Sequence, residues 1–109
     1  MTYRLRFFFD PGSGVCLWSA NDAAREQFDY PVTLDDLPLS DQTRETGEQL
    51  IERFDTSLDW SYPPDPSPWS EAESRAFDEA AGEWLASARR ELGPDYEIVD
   101  EHRSVHRAS

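Results

Sequence analysis

The chain has 109 residues and sets 23 acidic side chains against 10 basic ones, for a formal net charge of −13. That length suits one domain and leaves little room for two. Such a charge argues against nucleic acid and anionic membrane as direct partners, since like charge would be brought against like. With six Phe, four Trp and four Tyr, the chain is too aromatic to be disordered and can bury a core.

A basic protein is the partner that this surface attracts fastest, although acidity also serves plain solubility. Every basic side chain is Arg. Cys16 is the single cysteine, so no intrachain disulfide can form and an oxidising compartment is not implied. The N-terminal stretch from Tyr3 to Asp10 lacks the apolar core and cleavage site of a signal peptide. No apolar run reaches the roughly 20 residues of a membrane span. The expected location is the cytoplasm.

Residues 2–10 read as a strand with Tyr3, Leu5, Phe7 and Phe9 on one face and Arg4, Arg6 and Phe8 on the other. Pro11-Gly12-Ser13-Gly14 is a turn, and Val15 to Ser19 is the returning strand of a hairpin. A phosphate-cradling loop would need a helix and usually a Lys after it, so that reading fails here. Residues 21–28 predict a short helix capped by Asn21 or Asp22, with Ala24 and Phe28 on one face, stopped at Tyr30-Pro31. Val32 to Leu39 is a loop carrying Asp35 and Asp36. A second helix starts near Ser40 or Asp41 and runs to about Phe54, with Leu50, Ile51, Phe54 and, just past its end, Leu58 as its apolar stripe. Gly47 inside it signals either a close helix contact or a weak first half.

Four of the eight prolines crowd between Asp59 and Trp69, which forbids helix and central strand there. The third helix opens on Ser70-Glu71-Ala72-Glu73, a capping box. Phe77, Ala81, Trp84, Ala88 and Leu92 follow at helical spacing, and Gly93-Pro94 ends the helix. Tyr96 to Asp100 is the last strand, returning to the hairpin. The expected fold is α+β in the order ββαααβ. A small antiparallel sheet, made of the hairpin and the C-terminal strand, packs against about three helices. Residues 1–100 form the single domain and 101–109 a polar, frayed tail.

Catalytic chemistry finds little material. His102 and His106 stand four apart but lie in the tail, where no helix would aim them at one metal. Cys16 sits inside a strand, the setting of a buried structural thiol. Acidic pairs such as Asp35-Asp36, or Asp55 with Asp59, are too common in this chain to mark an acid/base couple. No catalytic residues, metal or cofactor are therefore expected.

The proline-aromatic segment reads as a binding surface. Trp60 and Tyr62 flank stiff prolines that lose little entropy when bound, and Asp59 and Asp65 would suit a basic partner. The competing reading folds the tryptophans back into the core; it is preferred for Trp69, and for Tyr62 the two stay open. The candidate partner-binding residues are Asp35, Asp36, Asp55, Asp59, Trp60, Tyr62 and Asp65.

The block Arg6-Phe7-Phe8-Phe9-Asp10-Pro11-Gly12-Ser13-Gly14 through Ala24, and Asp55-Thr56-Ser57-Leu58-Asp59-Trp60 through Ser70, look like motif blocks of a small bacterial family. In size, acidity and single-domain build the chain resembles bacterial immunity proteins, which neutralise a cognate toxin by covering it. The resemblance is of type, over the whole chain, because such proteins share no common fold. It implies a monomer held in a tight heterodimer with an often basic toxin domain, such as a nuclease or nucleotide-modifying enzyme. Two other classes stay open: a nucleic-acid mimic or acidic adaptor blocking a basic DNA-binding protein, and a small enzyme or ligand binder.

Overall fold

The computed structural model describes residues 2–10, 12–57 and 69–103. Strand β1 (Tyr3–Phe7) buries Leu5 and Phe7 and turns Arg4 and Arg6 the other way. Strand β2 (Leu17–Ser19) runs back beside it, with Leu17 opposite Phe7 and Trp18 opposite Arg6. The connecting loop takes Gly12 and Gly14 at φ of 84° and 78°, a region that side chains with a Cβ rarely enter.

Helix α1 (Asp22–Phe28) starts where the Asn21 side chain accepts the Ala24 amide at 3.0 Å. Two residues, Pro31–Val32, then add strand β3 to the free side of β2. A single 3-10 turn, Leu34–Asp36, leads into α2 (Asp41–Asp55), which Ser40 caps. Helix α3 (Glu71–Leu92) carries the complete Ser70/Glu73 capping box and is followed by β4 (Tyr96–Asp100). The order ββαααβ and the α+β class are as expected, with β3 as a short addition.

One feature of the sheet departs from expectation. Its order is β3-β2-β1-β4, and β4 lies parallel to β1, with Tyr3 beside Tyr96 and Phe7 beside Asp100. The sheet is mixed and not purely antiparallel. A hairpin fixes strand direction through its short turn, whereas a strand delivered by a long helix takes the direction that the helix imposes. Helix α3 returns the chain to the start of β1 before β4 begins.

All three helices pack on the face that holds Tyr3, Leu5 and Phe7. Phe28 of α1 lies 5.3 Å from Tyr3, ring to ring, and Trp84 of α3 stacks on Phe7 at 5.7 Å. Leu34, Leu50, Ile51, Phe77, Ala81, Leu85 and Ile98 complete one continuous core. Trp69 belongs to it as well, packed on Phe77 with its indole N–H donated to the Thr56 hydroxyl at 2.7 Å. The opposite face of the sheet bears Arg4, Arg6, Trp18, Glu97 and Val99, and no described helix lies over it.

Candidate functional site

Asp35 and Asp36 stand exposed on the 3-10 turn, held there by the burial of Leu34 and Leu37 on either side. Arg44 fastens this turn to α2. Its Nε lies 3.4 Å from Asp35 Oδ1, its Nη1 bonds Asp41 Oδ1 at 3.1 Å, and its Nη2 donates to the Leu39 carbonyl at 3.1 Å.

Asp55 closes the other end of α2. Its Oδ1 accepts the Gly12 amide at 2.9 Å, which ties the β1–β2 turn to the helix end. A carboxylate at a helix C-terminus faces the negative end of the macrodipole, and the Gly12 donor offsets that cost. Asp55 thus has a structural duty, whatever it also presents to a partner. Asp59, Trp60, Tyr62 and Asp65 lie outside the described residues, as do Leu58 and His106.

Between the two ends, α2 supplies what the sequence reading missed. Asp41, Glu45, Glu48, Glu52 and Asp55 recur at intervals of four, three, four and three, so they share one helix face over about 21 Å. Asp41, Glu45, Glu48 and Glu52 are exposed and Asp55 is half-buried. The row is close enough to Asp35 to matter electrostatically: partial burial, then Asp35 and Glu52, hold the Glu48 carboxyl above its ordinary range. A carboxylate held up by negative neighbours gains from a cation brought beside it. The spacing was visible in the sequence, but a chain with 23 acidic residues hides any one row.

A concavity opens at the carboxyl ends of β1 and β4, beside the end of α2. It encloses about 480 Å³ between Arg6, Phe8, Phe9, Phe54, Glu101 and His102. Arg6 spans Glu101 with two bonds of 2.8 Å, and His102 Nε2 lies 2.8 Å from Asp78 Oδ1 among the rings of Phe7, Phe9 and Phe77. Glu101 and His102 therefore continue the order of β4. Cys16 is fully buried elsewhere, and burial, with Glu48 nearby, drives its thiol far above the usual range, so it serves as packing. Among the described residues no group of three or more His, Cys, Asp or Glu could hold a metal ion, and no helix is long and apolar enough to cross a membrane.

The geometry therefore offers an acidic helical ridge and a paired Arg–Glu cleft, both suited to contact with another macromolecule. No curated protein matches the chain. The family model described as Serratia CdiI immunity protein-like matches residues 5–100, which spans every strand and helix described above, with only the first residues of β1 outside it. The chain belongs to the Serratia CdiI immunity protein-like family.

Proposed function

We propose that this protein neutralises a cognate toxin by covering the toxin's active site with the acidic surface of α2 and the turn before it. Family membership supports the immunity role and a toxin as the partner. The row from Asp41 to Asp55, joined by Asp35 and Asp36, supports a basic active site as the surface covered. That fits a nuclease or nucleotide-modifying domain, whose phosphate-binding groove is positive before the inhibitor arrives. The single observation that carries the reading is this alignment of carboxylates along one helix face.

The segment from Asp55 to Trp69 supplies the anchor in this reading. Asp59 and Asp65 add to the attraction, while Trp60 and Tyr62 provide contacts that exclude water and slow release. The protein acts in the cytoplasm, as a monomer in a one-to-one complex through this surface, without catalysis of its own. A nucleic-acid mimic would present the same row of carboxylates to a DNA-binding protein, so the partner's activity separates the two readings.

Co-expression with a candidate toxin domain from the neighbouring genes tests the role, followed by purification of the complex and an activity assay. Growth rescue with loss of toxin activity is the expected result. A toxin that binds yet keeps full activity would end the occlusion reading. Failure both to bind and to rescue would end the pairing.

A further inference from the structure

We infer that Arg44 holds Asp35 and Asp41 as one fixed pair and thereby sets how long the toxin stays bound, while its own charge slows the toxin's approach. This rests on the toxin reading above and assigns a positioning residue to the same surface. Helix α2 has two arginines. Arg53 turns its guanidinium over the ring of Phe77 in α3, 5.7 Å from the centroid. Arg44 is the one that meets the acidic surface, between Asp35 and Asp41.

A surface built for attraction alone has no use for that cation. Each carboxylate draws a basic partner, and an arginine among them cancels part of the field. What the arginine supplies is geometry, because a guanidinium carries five N–H donors in one rigid plane. Its Nη1 donates to Asp41 Oδ1 at 3.1 Å and its Nη2 to the Leu39 carbonyl at 3.1 Å, and its Nε lies 3.4 Å from Asp35 Oδ1. One rigid group thus spans three points of the stretch that joins the 3-10 turn to α2. The Arg44 side chain is 29% exposed, whereas that of Asp35 is 74% exposed and that of Asp41 fully so. The cation lies beneath, and the two carboxylates stand above it in water.

The pair is held without being used up. Nε is buried and makes no hydrogen bond, so the tie to Asp35 is one of charge, and the tie to Asp41 is a single bond. An ionised carboxylate accepts up to about four bonds, which leaves both groups room for a toxin's N–H donors. Groups fixed before contact lose little freedom on binding, and differences of that kind appear in the dissociation rate. Asp35 therefore acts in retention as well as in approach.

Association and dissociation rates with a candidate toxin domain from the neighbouring genes, taken at about 20 mM and about 300 mM salt, separate the two effects of Arg44. Arg44→Gln should speed association about twofold at low salt, a gain that fades at high salt, and should speed dissociation about tenfold. Arg44→Lys keeps the charge, so association should hold. Its ammonium cannot span the three acceptors, so dissociation should still rise severalfold. In a chain carrying Asp35→Asn and Asp41→Asn, adding Arg44→Gln should change dissociation by less than about twofold. Partial unfolding of a variant lowers the amount of complex but not the rate at which formed complex separates, so it does not imitate this result. If the Arg44→Gln chain does not fold, Arg44→Lys decides. Faster association with unchanged dissociation in Arg44→Gln makes Arg44 a bystander charge and overturns the inference. So does an effect on dissociation that persists in the Asp35→Asn, Asp41→Asn chain. In both cases the wild type still binds and inhibits the toxin, and the proposed function stands. A wild type that binds no toxin ends that reading and this inference with it.

Discussion

The indole N–H of Trp84 donates to the carbonyl oxygen of Thr43 at 2.8 Å, joining the middle of α3 to the first turn of α2. The ring reaches that carbonyl only because residue 47, one turn further along α2, is glycine. A Cβ there would stand 2.9 Å from Trp84 Cζ2 and 2.5 Å from Leu34 Cδ1. The same contact seats Leu34 and so fixes the turn that carries Asp35 and Asp36.

Trp84 is therefore the side chain whose loss should cost most. It is 3% exposed and stacks on Phe7 beneath it. Trp84→Ala should lower the unfolding free energy by about 3–5 kcal/mol, read from urea denaturation. A loss below about 1 kcal/mol would mean that the two helices do not depend on this ring.

Gly47→Ala sets two effects in opposition. Alanine in place of glycine inside a helix gains about 1 kcal/mol from propensity. Here the new methyl group meets a buried leucine and a buried indole, and overpacking costs about 1–3 kcal/mol. The net change should be destabilising by urea midpoint. A more stable Gly47→Ala variant would show that α2 and α3 can separate at no cost.

Acid should loosen the junction between α3 and the start of α2. The Glu91 carboxylate accepts the Ser40 amide at 2.6 Å and the Thr43 and Ser40 hydroxyls. These bonds, the Ser40 amide first, hold its pKa below the ordinary 4.5. A depressed folded pKa gives stability that is present above the unfolded value and lost as pH falls through the folded one. Glu91→Gln should flatten the decline in urea midpoint below about pH 4.5 and leave its slope near neutrality unchanged. An unchanged acid limb would remove Glu91 from this role.

Binding kinetics should separate steering from anchoring. Asp35→Asn, Glu48→Gln and Glu52→Gln should each lower the association rate with the toxin, as should Asp59→Asn and Asp65→Asn, by up to severalfold at low salt. Tyr62→Ala should instead raise the dissociation rate. Added salt should slow association more than it hastens release. If wild-type protein binds and all of these substitutions are silent, another surface meets the toxin.

Direct retention on DNA, RNA or anionic vesicles should not occur at physiological salt, because the −13 charge opposes every approach. A gel-shift series with rising salt checks this, and a stable complex near about 150 mM salt without divalent ions would refute it.

The sequence by itself determined the local pieces, because their signals are short-ranged. The Ser70/Glu73 capping box and the stripe from Phe77 to Leu92 placed α3, and the alternation from Tyr3 to Phe9 with the glycine turn placed the hairpin. Those patterns come from residues a few positions apart, which meet whatever the rest of the chain does. Trp69 also read correctly as a core side chain beside the cap. Only the tertiary structure decided that β4 runs parallel to β1, since strand direction after a 22-residue helix depends on where that helix ends. It also decided which carboxylates act together. Asp35 joins Glu48 through a turn seated on Leu34, and Asp55 is bound to Gly12, 43 positions away in the chain. In so acidic a sequence any carboxylate can be paired with another on paper. Proximity in space, set by the packing of a few apolar side chains beneath them, is what distinguishes a surface from a composition.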